Sequence, residues 1–218
     1  RCAATPPQVS ETNNIRDPSS MTSLVLASAS PFRRMLLQNA GPAFDTHAAT
    51  IDERAIEECL REINASPEHV AVELAKAKAL DVSRQFPGML VLGSDQTMSR
   101  GERVFHKPAD LDEARSHIAT LAGKTHRLNS GIALVQDGVV LWEHVSSADM
   151  TVRPLSEAFI ERYVDRCGEK LLSSVGAYQL EGEGIHLFSA IDGDYFTILG
   201  LPMLPLLAKL RELGAIDG

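Results

Sequence analysis

Residues 24–34 read L-V-L-A-S-A-S-P-F-R-R, and the fold is read outward from them. Leu24–Ala27 is a short apolar run of the kind that makes a buried strand. Ser28, Ala29 and Ser30 allow a tight turn. Ser30 is a good N-cap and Pro31 a good first helical residue, so a helix starts there. It runs to about Asn39 and stops near Gly41-Pro42. Arg33 and Arg34 then fall in its first turn. The partial positive charge of a helix N-terminus disfavours cations there by about 0.3–1 kcal/mol each. A local rule broken in this way points to a functional site with a negative ligand.

The same alternation continues along the chain. Residues 44–48 form a second strand candidate. A helix over 67–86 starts at Pro67 and carries one apolar stripe of Val72, Ala75, Ala79, Val82 and Phe86, with Lys76 at its edge. Met89–Leu92 is a short interior strand bounded by Gly88 and Gly93. A helix over 110–121 has Asp110 as its cap. Asp137-Gly138 is a hairpin turn signal between strands at 125–135 and 139–152. Helices at 155–166 and 201–213 flank a strand at 185–191, and Gly214 ends the last. The pattern predicts an α/β fold, a mixed sheet with surrounding helices.

Composition narrows the function classes. The chain has 218 residues, 44% of them hydrophobic and 23% charged, as in ordinary globular proteins. Its formal net charge is −8, which argues against nucleic acid as a partner, because phosphate backbones need a basic surface. A local basic cluster still suits a small anion. The three cysteines, Cys2, Cys59 and Cys167, are far apart and give neither a zinc motif nor a disulfide framework, so a cytoplasmic setting is expected. No apolar run approaches the roughly 18–20 residues of a membrane span. Residues 1–20 are polar and read as a disordered leader without a signal sequence, and the folded unit is expected over 21–218, from Met21 onward.

Several groups could carry chemistry. Ser28, Ser30, Arg33 and Arg34 combine two hydroxyls, two guanidiniums and a helix N-terminus, which together suit a phosphate. An ordinary capped helix with solvated arginines would read the same. G-S-D-Q-T (93–97) places Asp95 at the expected end of a buried strand, where open α/β sheets carry ligand sites. Asp95 could hold a metal or act on water; Gly-Ser-Asp is equally good turn chemistry. Lys107, in H-K-P (106–108), precedes a proline and is therefore extended; it could reach a phosphate or be an ordinary solvated loop lysine. Asp52-Glu53 suits either Mg²⁺ or a helix N-terminus. E-G-E-G (181–184) is a tight loop that could line a ligand or simply turn. Phe32 shares a helix face with Met35, Leu36 and Asn39, which by periodicity is a core position.

Taken together, these segments resemble the Maf family of nucleoside triphosphate pyrophosphatases. The resemblance rests on L-A-S-A-S-P-F-R-R (26–34), I-D-E (51–53), L-A-K-A-K-A (74–79), L-G-S-D-Q (92–96) and H-K-P (106–108). It continues through S-G-I-A-L-V (130–135), Y-Q-L-E-G-E-G (178–184) and I-D-G-D-Y…G-L-P (191–202). It implies two lobes around a nucleotide-binding cleft and a cut between the α- and β-phosphates that depends on a divalent metal, Mg²⁺ or Mn²⁺. By position, Asp95 resembles the catalytic acid that activates water. Ser28, Ser30, Arg33, Arg34, Lys76 and Lys107 resemble phosphate binders, and Glu53 with Asp95 a metal pair. A homodimer is also implied. Where the family usually has Gly before Lys-Pro, this chain has His106.

Three positions are expected to set the nucleotide. Phe32, Gln96 and Glu181 are similar to the aromatic, Gln and Glu of the 7-methyl-GTP branch, rather than the Arg, Thr and Gln of the dTTP/UTP branch. The chemistry agrees. N7-methylguanine is cationic and favours an aromatic face. A carboxylate can accept from its N1–H and N2–H₂ edge. Glutamine is expected to offer both a donor and an acceptor to the rest of the base. Such an enzyme would clear a modified nucleotide from the pool. The alternatives are a dTTP/UTP pyrophosphatase and a nucleotide-binding regulator of cell division and septum formation.

Overall fold

The computed structural model describes residues 23–217 apart from residue 102. The expected leader and Met21 lie outside the described residues. Strands β1 (Leu24–Ala27), β2 (Phe44–Thr46), β3 (Leu90–Arg100), β4 (Arg103–Phe105), β5 (Thr125–Gln136), β6 (Val139–Val152) and β7 (Phe188–Asp192) form one sheet. Its order is β2-β1-β3-β5-β6-β7, with β4 paired to β3. β1 runs parallel to β2 and β3, and the remaining pairings are antiparallel, so the sheet is mixed as expected.

The helices are α1 (Pro31–Ala40), α2 (Glu53–Glu62), α3 (Pro67–Ser83), α4 (Leu111–Leu121), α5 (Glu157–Cys167), α6 (Tyr195–Ile198) and α7 (Met203–Glu212). Their starts follow local capping chemistry. Ser30, Asp52, Ser66, Asp110, Ser156 and Asp194 each accept a backbone N–H from the first turn. Gly41 ends α1 with φ +91°, a left-handed cap that suits glycine. Asp52 heads α2, so the Asp-Glu pair does mark a helix start. No described helix is long and apolar enough to cross a membrane.

Two hydrophobic centres share β3 and β5. One gathers Leu24, Leu26, Leu36, Leu37, Leu90, Leu92, Ile132 and Leu134 with α7, backed on the opposite sheet face by Val25, Val91 and Val82 of α3. The other gathers Met98, Phe105, Leu128, Met150 and Tyr163 with α4 and α5. Between them the two strands turn polar, through Ser94, Asp95, Gln96 and Thr97 on β3 and Asn129 and Ser130 on β5. All but the half-buried Gln96 are buried, and hydrogen bonds link part of the set: Asn129 Nδ2 donates to Thr97 Oγ1 at 3.3 Å, and Ser147 Oγ of β6 donates to Asn129 Oδ1 at 2.8 Å. This polar belt separates the two lobes.

Three expectations need correction. The strand expected to end near Leu92 continues to Arg100, so Asp95 sits in mid-strand. Gly93 is required there for space: a Cβ would lie 2.0 Å from Ala75 O and 2.9 Å from Ala79 Cβ, where α3 rides on β3. The helix expected over 67–86 stops at Ser83. Pro87 disfavours a helical Phe86, and Ser83 Oγ turns to accept the Gly138 N–H at 3.0 Å. The strand expected over 185–191 begins only at Phe188, after a 3₁₀ turn at Glu183–Leu187.

Candidate active site

β1 pairs with β3 only along residues 90–93, and β4 only along 98–100. Residues 94–97 of β3 therefore have no strand partner on that side among the described residues, while β5 pairs along the whole of the other side. The gap is a cleft between the lobes. Successive side chains of a strand alternate faces. Asp95 turns toward α3, and Ser94 and Gln96 toward the loop around α6.

On the first face a charged cluster forms. Lys78 Nζ on α3 lies 2.5 Å from Asp95 Oδ1 and 3.0 Å from Glu53 Oε1 on α2. Lys78 and Asp95 are each 12% exposed in their side chains, so this is a mostly buried pair opening onto the exposed Glu53. Asp95 Oδ2 takes no hydrogen bond among the described residues. Glu57, one turn along α2, has its carboxyl pushed up by burial; His106 opposes that, and Asp95 and Glu53 add to it. His106 Nδ1 lies 3.9 Å from Glu57 Oε2, which brings the exposed Lys107 loop beside α2.

Lys76 is not in this cluster. Its Nζ pairs with Glu73 at 2.7 Å and Glu143 of β6 at 3.2 Å. Residues two apart on a helix stand about 200° apart around its axis. Lys76 and Lys78 therefore border the same apolar stripe on opposite sides, and it is Lys78, within the same L-A-K-A-K-A segment, that reaches Asp95. Sequence reading missed Lys78 and Glu57. The signal for Glu57 was its i,i+4 spacing from Glu53.

The two arginines also part. Arg33 Nε donates to Gly200 O at 2.9 Å and its Nη1 to Ser28 Oγ at 3.2 Å. Burial lowers its pKa, and the negative charges of Asp95 and then Glu53 oppose the shift. Ser28 Oγ also accepts the Ser30 N–H at 3.2 Å, and Ser30 Oγ that of Arg33 at 3.5 Å. Arg34 is exposed and lines a shallow groove of about 450 Å³ with Gln38, Phe44, Asp45 and Thr46. The structure does not bring it to Arg33.

On the second face, Phe32, Gln96 and Glu181 line one slot of about 60 Å³, together with Leu128, Tyr178 and Ile198. Phe32 is half-buried there and is not a core residue. Gln96 Nε2 lies 2.9 Å from Ser130 Oγ, 3.1 Å from Thr197 O and 3.0 Å from Ile198 O. Two of those partners are carbonyls, which only accept, so the amide nitrogen must face them. Its protons are taken, and Gln96 has only its oxygen left for a ligand. The expectation of a donor and an acceptor is corrected to an acceptor alone. Ser130 Oγ donates to Thr197 O at 2.7 Å and Ser94 Oγ to Gly200 O at 2.9 Å, so buried hydroxyls pin the α6 loop to the sheet.

The fold and site define a mixed-sheet α/β protein with a charged cleft beside the middle of its central strand. Residues 23–213 match the family model described as Maf-like protein, and the chain belongs to the Maf family. It is 66% identical over 195 residues to a protein of Rhizobium etli named 7-methyl-GTP pyrophosphatase, covering 89% of this chain and 98% of that one. A Rhizobium meliloti protein of the same name is 66% identical over 194 residues, with the same coverage. A protein of Rhodopseudomonas palustris named nucleoside triphosphate pyrophosphatase is 52% identical over 189 residues, covering 87% of this chain and 93% of that one.

Proposed function

We propose that this protein hydrolyses 7-methyl-GTP between the α- and β-phosphates, giving 7-methyl-GMP and pyrophosphate. The names of its relatives support the class of reaction. The observation that carries the nucleotide is the meeting of Phe32, Gln96 and Glu181 at one slot beside the Asp95 cluster. Asp95 and Gln96 are adjacent on β3, so one ligand crossing the gap reaches both.

The slot offers acceptors and an aromatic ring. Gln96 Oε1 and the Glu181 carboxylate match a base edge rich in N–H donors, which guanine has at N1 and N2. Thymine and uracil present one N–H between two carbonyls and would set acceptor against acceptor. Phe32 favours the cationic N7-methylated ring. At about 60 Å³ the slot is smaller than the roughly 300–1,000 Å³ of open ligand pockets, so a wall must move to admit a base. Phe32, half-exposed on the first turn of α1, is the wall with room to turn.

In the reaction, water attacks the α-phosphorus, the bond to the bridging oxygen breaks, and pyrophosphate leaves. Asp95, held through Oδ1 by Lys78, takes the water's proton at Oδ2. Lys78, Lys107 and Arg33 Nη2, which makes no hydrogen bond among the described residues, offset charge on the phosphate oxygens, the main task in phosphoryl transfer. Among the described residues no group of three or more His, Cys, Asp or Glu could hold a metal alone. Glu53 and Asp95 do converge on one cationic point, Lys78 Nζ. Two carboxylates completed by phosphate oxygens and water suit Mg²⁺ or Mn²⁺, so these two residues would hold the ion. When bound, it supplies further neutralisation of phosphate charge.

Product analysis tests the reading. Wild type with 7-methyl-GTP and Mg²⁺ or Mn²⁺ should release 7-methyl-GMP and pyrophosphate, and Asp95→Asn should lower kcat by about 10²–10⁴. Release of orthophosphate with a nucleoside diphosphate would refute the cleavage site.

A further inference from the structure

The loop that carries Glu181 is held by a buried pair that the reaction does not use. His126 of β5, 2% exposed, lies on the same strand face as Leu128 of the slot, and its Nε2 is 2.7 Å from the Tyr178 hydroxyl. Tyr178 is fixed at three points. Its hydroxyl meets His126. Its ring packs edge-on against Phe188, centroids 4.9 Å apart. Its backbone is clasped by Ser174 Oγ, which accepts the Tyr178 N–H at 3.2 Å and donates to Tyr178 O at 2.6 Å.

The ring also shapes the loop around it. A Cβ at Gly176 would lie 2.2 Å from Tyr178 Cε1, so the loop folds directly over the ring. From there the turn closes tightly toward Glu181. Gly182 N–H donates to Gln179 O at 3.2 Å, and a Cβ at Gly184 would lie 2.4 Å from that same oxygen. Displacing Tyr178 thus displaces the turn bearing the carboxylate. The pair is costly where it stands: His126 Nδ1 is buried without a hydrogen-bond partner among the described residues. Two apolar side chains would fill the space without that cost, and a satisfied polar contact at this depth fixes one geometry where apolar packing does not.

We infer that Tyr178, anchored by His126, is a positioning residue for base selection, setting the floor of the slot and the place of Glu181 while Phe32 moves. The inference rests on the base-slot reading above. The Tyr178 hydroxyl is spent on His126 and does not touch the ligand, so its effect on selectivity passes through the loop.

The test is steady-state kinetics on Tyr178→Phe, His126→Leu and His126→Gln with 7-methyl-GTP and with UTP. Tyr178→Phe and His126→Leu should raise KM for 7-methyl-GTP roughly five- to tenfold, the worth of one such hydrogen bond, with kcat within about twofold and KM for UTP unchanged. His126→Gln, which returns a polar partner to the hydroxyl, should restore most of the loss. Tyr178→Phe in a Glu181→Gln background should add less than about twofold, because the two act as one unit. A purely structural role would lower kcat for both nucleotides through lost folded enzyme and leave both KM values alone. That result, or full additivity with Glu181→Gln, overturns the inference. The nucleotide reading is judged separately on wild type, and the anchor on whichever nucleotide wild type prefers.

Discussion

Lys78 Nζ stands 2.5 Å from Asp95 Oδ1, and this contact ties α3 to residues 94–97 of β3, which have no strand neighbour on their open side among the described residues. It engages Oδ1 of the carboxylate and leaves Oδ2 without a hydrogen bond among the described residues. Lys78→Met should therefore lower kcat by about 10²–10³, as loss of a placed charge at a phosphoryl group does elsewhere. Lys76→Met, which removes only an ion pair with Glu73 and Glu143, should leave kcat within about threefold. Rates of pyrophosphate release for the two variants, compared side by side, check the assignment.

The packing of α3 is the second point of exposure. Gly93 has Ala75 O and Ala79 N within 2.9 Å of where a Cβ would stand, and both are backbone atoms that cannot swing away. Gly93→Ala should cost about 3 kcal/mol and lower Tm by about 6–12 °C, measured by thermal unfolding. Activity should fall further than stability alone explains, since α3 carries Lys78.

His126 gives a pH signature in stability. Burial lowers its pKa from 6.5 to about 4, with Asp149 opposing. The unfolded chain takes up this proton as pH falls below about 6.5, while the folded chain resists it until about 4. Stability is thus full above that window and is lost as pH falls through it, by about 3 kcal/mol in total. Burial lowers the pKa of His117 and His144 too, so the decisive measurement is a difference. Urea unfolding at about pH 7 and pH 4 should show a smaller acid loss in His126→Gln than in wild type. Parallel losses would contradict it.

Much of the fold was legible because its signals are local. Ser30-Pro31, Asp110 and Asp137-Gly138 act within a few residues, and each marks the boundary it was expected to mark. Gly93-Ser94-Asp95 misled for the same reason: it is good turn chemistry locally, and only the approach of α3 accounts for the glycine. Lys76 and Lys78 both edge an apolar stripe, and nothing in the helix itself says which edge meets Asp95. Arg33 and Arg34 look like a matched pair in sequence, yet one helical step sends Arg34 to the outer groove. The gathering of Phe32, Gln96 and Glu181 came from the family resemblance, because periodicity alone assigns Phe32 to the core. Gln96 kept its place at the slot but not its expected chemistry, since its donors are taken by carbonyls of a distant loop.

The account turns on the base slot, and the most direct test is kcat/KM for 7-methyl-GTP, GTP, dTTP and UTP on wild type and Glu181→Gln. Wild type should favour 7-methyl-GTP, and Glu181→Gln should cost about 10–100-fold on that nucleotide, the loss of a charge-assisted contact, with little change on UTP. Turnover of dTTP or UTP by wild type at least as efficient as that of 7-methyl-GTP would contradict it.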